Sequence, residues 1–285
     1  MYLLSLWKIS EFNHKDFTVN RLPLDSMISS LDQISTIIPA GVYTTFRTYD
    51  HDHALELTKH FARLDESARL VGKPLDIDFN MVRGVLRSIV QQIGGKDLRI
   101  RITLDLEREP GTIYISTESL HTPLDIVYKT GGKVFTYPLK RDNPKAKMTR
   151  QLATAACIRE RFSQNKFEEI LTVSEDGIIL EGLSSNFFSI KGNKLWTSQE
   201  DVLCGTIRDM VLRLSVVINL QIMRTGIHIS EIGTIDEAFI TSTSRSILPI
   251  IQIDQTTIGM GIPGGFTQKL METFQTELQE KLERI

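Results

Sequence analysis

The residues best placed to do chemistry gather around one acid. Val173 to Phe188 reads VSEDGIILEGLSSNFF, in which Ile178, Ile179 and Leu180 form an apolar run that ends on Glu181. An acid at a strand end is ordinarily a turn residue in water. Its company points elsewhere. Gly182 removes side-chain bulk beside it, and Ser184, Ser185 and Asn186 supply donors and acceptors that can hold a tight turn. A carboxylate built into a rigid turn can be aimed at a cation. Arg99 and Arg101 alternate along a β-patterned run and so share one side, where either can pair with a carboxylate or, on an edge strand, lie in water. The six histidines (His14, His51, His53, His60, His121, His228) have no metal-ligand spacing. HExxH, GxSxG and P-loop patterns do not occur, and GMGIPGG at Gly259 to Gly265 lacks a following GK[ST] and reads as a loop.

The elements that must carry these groups are legible from periodicity. In LELTKHFARLDESARLV, Leu57, Phe61, Leu64, Ala68 and Val71 recur at helical steps, with Lys59, Arg63, Glu66 and Arg69 outside that apolar set. A second helix, with Val82, Val85, Leu86, Ile89 and Ile93, stops at Gly94-Gly95. RIRITLDL at 99–106 alternates as a strand, with a partner at 112–116. Between Tyr137 and Lys147 the text becomes YPLKRDNPKAK, with two prolines and no apolar period, which sets the domain boundary. Beyond it the pattern predicts a helix at 148–162, strands near 169–173, 178–180, 187–190, 194–197, 238–241 and 247–253, a helix at 207–218, and a closing amphipathic helix with Phe266, Leu270, Phe274 and Leu278 on one face.

Length and composition bound the rest. The chain has 285 residues, 41% hydrophobic and 24% charged, with a formal charge of −2 and the signs interspersed. That suits a globular protein acting on small molecules and offers no basic face to nucleic acid. Cys157 and Cys204 have neither CxxC nor Cys/His spacing, so they are expected as buried thiols in a reducing compartment, with no disulfide and no metal site. MYLLSLWKIS is short, lacks a basic region and runs into charged residues. It reads as a first strand, not a signal or membrane anchor, and the expected location is the cytoplasm.

EGLSSNFFSIKGNKLWT at Glu181 to Thr197, followed by LCGTIRDMV at Leu203 to Val211, resembles the class IV aminotransferases, the fold-type IV enzymes dependent on pyridoxal phosphate. GVYTTFRTY at Gly41 to Tyr49, HFARLDESARLVG at His60 to Gly72 and TSTSRSILPI at Thr241 to Ile250 match the family in the expected order. The resemblance implies a two-domain α+β or α/β fold of the D-amino-acid aminotransferase type, with the cofactor between the domains. Residues 1–137 would form a small N-terminal domain, 138–146 the linker, and 147–285 the larger cofactor-binding domain. It implies that Glu181 faces the pyridine nitrogen and keeps it protonated. Lys147, thirty-four residues earlier, would be the lysine that condenses with the aldehyde and then carries the proton; Lys145 and Lys140 are its competitors. Arg63 would anchor the phosphate with a fork that suits it. Gly205-Thr206-Ile207, where a helix begins, would add backbone N–H groups, and Thr243 a hydroxyl. Ile207 stands where relatives often carry a second hydroxyl.

For the substrate, the resemblance points to Tyr43 near the carboxylate, with Arg99, Arg101 and Ser244 as further candidates. The family text is eroded around Tyr43, where Thr44 replaces the usual glutamate. Leu152 stands where the branched-chain group commonly has tyrosine, and Arg150 where relatives often have asparagine. The implied activity is ping-pong transamination between an amino acid and a 2-oxo acid in a homodimer, without nucleic acid, membrane or metal. The alternatives are an aminodeoxychorismate-lyase type of elimination and a non-catalytic member of the fold.

Overall fold

The computed structural model describes residues 4–13 and 16–285; His14 and the first three residues of the expected N-terminal strand lie outside the described residues. The chain forms two compact units. One comprises Met1–His121, Ala146–Cys157 and Lys281–Ile285, the other Thr122–Lys145 and Ile158–Glu280. This division departs from the one expected at 138–146. Gly132–Pro138 lies in the second unit because it pairs in parallel with both Glu169–Val173 and Ser246–Ile253. The residues around Lys147 lie in the first, because Met148 bridges to Val42 and the flanking backbone bonds to Gly41 and Tyr43. Strand pairing between distant segments overrides the change in composition.

The first unit is built on a seven-stranded antiparallel sheet, in the order Leu282–Arg284, His53–Leu55, Gly41–Tyr49, Leu98–Asp105, Ile113–Ser119, Ser5–Asn13, Asp16–Leu22. Val42, Phe46, Ile100, Ile102 and Leu104 share one face of it, and the helices Leu57–Leu70 and Phe79–Ile93 pack against that face. Each large apolar side chain buried there contributes roughly 1.5–3 kcal/mol. Asp78 caps the second helix by accepting from Asn80 N and Met81 N, and Gly94, at φ 67°, ends it. The first helix takes its cap from afar: the Glu283 carboxylate accepts from Thr58 N at 3.1 Å and from Thr58 Oγ1 at 2.7 Å. The helix Leu31–Ile37 covers the opposite face, in a core with Leu6 and Tyr114.

In the second unit six strands close a ring: Asn186–Lys191, Glu237–Ser242, Ser246–Ile253, Gly132–Pro138, Glu169–Val173 and Ile178–Gly182, which returns to the first through the pair Glu181↔Asn186. Leu171, Ile179, Phe187, Ile240, Leu248 and Ile250 fill its core. Short strands extend the sheet, and the helices Thr206–Val217 and Gly265–Lys281 complete the elements that periodicity predicted. Both cysteines are exposed, not buried as expected. Cys157 falls on the helix Arg150–Arg161 between the buried Ala155 and Ile158 and points outward. Among the described residues no helix is long and apolar enough to cross a membrane, and no group of three metal-ligating side chains occurs.

Candidate active site

The site residues of the first unit are set by the edge of Gly41–Tyr49. There the Lys147 carbonyl accepts from Tyr43 N at 2.9 Å, Thr149 N donates to the Gly41 carbonyl at 2.9 Å, and Gly41 N donates to Thr149 Oγ1 at 2.9 Å. Lys147 N donates to Ser67 Oγ at 3.1 Å. The lysine is thus strapped to a strand and a helix, and its Nζ lies 5.1 Å from the Tyr43 ring centroid. Arg63, outside the apolar set of its helix in the sequence, is buried all the same. Its Nη2 donates to His60 Nδ1 at 2.9 Å and to Thr44 Oγ1 at 3.2 Å. Burial pushes the His60 imidazole well below the usual range, with the cationic Arg63 and Lys147 adding to the effect.

Arg99 and Arg101 lie on the other face of that sheet, with Tyr43 and Thr45. Leu98–Asp105 is an inner strand, so neither arginine is on an edge. Arg101 is 1% exposed, and four of its five N–H groups are committed: to Thr45 Oγ1, the Leu31 carbonyl, Ser35 Oγ and Asp32 Oδ1. Its guanidinium also lies 5.0 Å from the Tyr43 ring. Arg99 pairs with Glu118 at 2.7 Å. Arg101 therefore supports Tyr43 from beneath and has little of its fork left for a substrate.

In the second unit Glu181 is 2% exposed, which removes the reading as a solvated turn residue. Its Oε1 accepts from Arg141 Nη1 at 2.7 Å, and its Oε2 from Asn186 Nδ2 and Leu203 N, each at 3.1 Å. Arg141 is itself fixed by the carbonyls of Gly182 and Leu183, both at 3.0 Å. Asn186 also donates to the Leu203 carbonyl, which joins the carboxylate to the loop before Thr206–Val217. Gly205 is required there, since a Cβ would clash with Asn186 Oδ1. As the N-cap, Gly205 brings no side chain over the first helical N–H groups, those of Thr206 and Ile207. Arg208 is buried beneath and donates from Nη2 to the Ser198 carbonyl at 3.0 Å and to Gln199 Oε1 at 3.1 Å.

A second buried acid braces the turn that follows Glu181. Glu169, 1% exposed, accepts from Arg245, Arg159, Ser184, Ser185 and its neighbour Ile170 N. Burial opposes its charge, but Arg245 and Arg159 outweigh that and bring the carboxyl down to about 2. Gly182 is needed because a Cβ would meet Ser185 Oγ and Glu169 Cγ. Through Arg245 the same acid ties down the turn that carries Thr243 and Ser244.

The structure thus brings Lys147, Tyr43 and Arg63 together in one unit, and Glu181 with the loop to Thr206 and Ile207 in the other. Sequence reasoning missed His60, Arg141 and Glu169. His60 had a signal, lying three residues before Arg63 on the same helical side. Glu169 had one too, since it opens an apolar strand as Glu181 closes one. Arg141 had none, because it sits in a charged, proline-bearing segment that reads as solvated.

These groups are what pyridoxal phosphate needs: a buried fixed carboxylate for a ring nitrogen, a lysine for an aldehyde, and an arginine and a helix N-terminus for a phosphate. The family model for class IV aminotransferases matches residues 41–253. The chain belongs to the class IV aminotransferases. It is 26% identical over 264 residues to the D-alanine aminotransferase of Bacillus licheniformis, covering 84% of this chain and 87% of that one. It is 24% identical over 253 residues to the branched-chain-amino-acid aminotransferase of Pseudomonas aeruginosa, covering 82% of each. The structure of the branched-chain aminotransferase of the archaeon Thermoproteus uzoniensis with norvaline superimposes with a TM-score of 0.77 over 98% of both chains at 20% identity, which shows the shared fold. This class IV aminotransferase has the fold-type IV architecture, uses pyridoxal 5'-phosphate, and moves an amino group between an amino acid and a 2-oxo acid. The lyase alternative is not favoured.

Proposed function

We propose that Lys147 is the catalytic residue of this aminotransferase and Glu181 the partner of the cofactor's ring nitrogen. The observation that carries this is the Glu181 carboxylate, 2% exposed and held by a backbone N–H, an asparagine and an arginine at the end of an apolar strand. When bound, pyridoxal phosphate supplies an aldehyde to take the amino group and a ring to accept the electron pair left at the substrate Cα. Lys147 would hold that aldehyde through its amine and would carry the proton at the substrate Cα. Glu181 keeps the ring nitrogen protonated. Arg63, the backbone N–H groups of Thr206 and Ile207, and the Thr243 hydroxyl hold the phosphate. Tyr43 borders the substrate beside Lys147, Ser244 is a further substrate contact, and Arg101 and Arg99 hold Tyr43 and its sheet in place. The amino donor carries a carboxylate, and the protein works as a cytoplasmic homodimer.

The test is a half-reaction followed by a panel. The purified protein with an amino acid alone is expected to convert to the pyridoxamine form, seen as loss of its visible absorbance, and a 2-oxo acid is expected to restore it. L- and D-amino acids paired with 2-oxoglutarate and with pyruvate then identify donor and acceptor. Turnover with carboxylate-free amines alone would overturn the assignment to amino acids. Light scattering of the eluted protein checks the dimer, and a monomer that turns over fully would refute it.

A further inference from the structure

The guanidinium of Arg63 is held on one arm by two acceptors that carry no charge. Its Nη2 reaches His60 Nδ1 at 2.9 Å and Thr44 Oγ1 at 3.2 Å, and those two atoms are 2.8 Å apart. A guanidinium has donors only, so Nδ1 must accept and the imidazole proton must sit on Nε2. Full burial beside Arg63 and Lys147 agrees with a neutral ring. The ring is itself located, packed 5.4 Å from that of Phe46. Thr44 comes from the strand Gly41–Tyr49 and His60 from the helix Leu57–Leu70, so the arm is fixed against both elements. A carboxylate in this place would fix the arm equally well but would cancel the charge, whereas a hydroxyl and a neutral imidazole leave it in force.

We propose that His60 and Thr44 are the positioning pair for Arg63: they hold one arm of the guanidinium so that the fork meets the cofactor phosphate in a single orientation without having its charge neutralised by them. This rests on the assignment of Arg63 to the phosphate made above. Two consequences follow. The role of His60 needs an acceptor at Nδ1 and no proton transfer. The contribution falls on the phosphate alone, leaving the aldehyde and ring contacts of the cofactor untouched.

The experiment measures, on cofactor-free protein, the dissociation constants of pyridoxal phosphate and of pyridoxal; their ratio isolates the phosphate. Arg63→Gln is expected to collapse the ratio by about a hundredfold or more. His60→Phe, which keeps a ring against Phe46 and deletes the acceptor, is expected to lower it about tenfold, the size of one charge-assisted hydrogen bond. His60→Asn, whose Oδ1 can stand where Nδ1 does, is expected to stay within about threefold of the parent. Thr44→Val removes the other acceptor with little change of shape and is expected to lower the ratio about threefold, so the pair stays testable if H60F does not fold. If R63Q collapses the ratio while H60F and T44V leave it at the parent value, the positioning role is overturned. Equal losses in H60F and H60N overturn it too, since the acceptor would then not matter. If R63Q leaves the ratio unchanged, the fault lies with the phosphate assignment of Arg63, and the proposal falls with it.

Discussion

Two clusters of buried charge, one in each unit of the protein, are managed in opposite ways. In the first, groups that carry or can carry positive charge gather at one strand edge: Lys147, Arg63 and His60. Burial and the like charges around it keep the histidine neutral, so it serves as an acceptor. In the second, two buried carboxylates are each answered by arginine: Glu181 by Arg141 at 2.7 Å, Glu169 by Arg245 at 3.0 Å and Arg159 at 3.5 Å. Glu169 touches only the frame, joining a strand, a helix and two turns. Glu181 shares that cage-like design but stands at the strand end assigned to the cofactor. The difference teaches that a buried ion pair is no marker of function by itself. What distinguishes Glu181 is the glycine-lined path from it, through Asn186, to an N-terminus of a helix that has no side-chain cap.

The sharpest break of this contrast is Lys147→Ala. It is expected to lower turnover by at least about 10³-fold and to abolish cofactor retained through borohydride reduction and denaturation, with the fold unchanged by circular dichroism. Next comes Glu181→Gln, with turnover down about 10²- to 10³-fold while cofactor still binds, as shown by absorbance after gel filtration. Glu169→Gln should reverse the pattern and cost stability more than chemistry, about 3 kcal/mol in a denaturant titration at neutral pH. The sign of its pH dependence is set by a carboxyl lowered from 4.5 to about 2 on folding. Its contribution is complete above the unfolded value and is lost as pH falls from about 4.5 toward 2. Acid titrations of the parent and E169Q should therefore converge across that window, and curves that stay parallel would remove Glu169 from the frame. The smallest effect belongs to Lys145→Ala, whose exposed pair with Glu200 spans 3.3 Å. Stability within about 0.5 kcal/mol of the parent and unchanged turnover are expected, and a large loss of turnover would move the catalytic assignment to Lys145.

Much of the frame was legible in advance. The apolar steps of Leu57, Phe61, Leu64 and Ala68 are the buried face of the helix Leu57–Leu70, and the stop at Gly94-Gly95 is its neighbour's C-terminus. The alternation of Ile100, Ile102 and Leu104 is the side of Leu98–Asp105 that packs with the helices Leu57–Leu70 and Phe79–Ile93. Less legible were charges whose burial depends on partners far along the chain. Arg63 looks like a solvent-facing residue until Thr44 is beside it, and Arg101 like an edge arginine until Asp32 and Ser35 cover it. Arg141, in a segment that reads as a solvated linker, contacts an acid forty residues later.

By itself the sequence determined the elements, the order of the family motifs and the identities of Lys147, Arg63, Glu181, Thr206 and Thr243 as the residues to consider. These are local signals: hydrophobic period, turn chemistry and short motifs are written within a few residues of one another. Only the tertiary structure decided which charges are buried, that Lys147 and its neighbours pair with the strand carrying Tyr43, that Arg141 stands against Glu181, and that His60 must accept a hydrogen bond from Arg63. The physical reason is that the charge state and orientation of a buried group are set by whichever groups replace water around it. Those groups come from strands and helices that the chain brings together only when it folds.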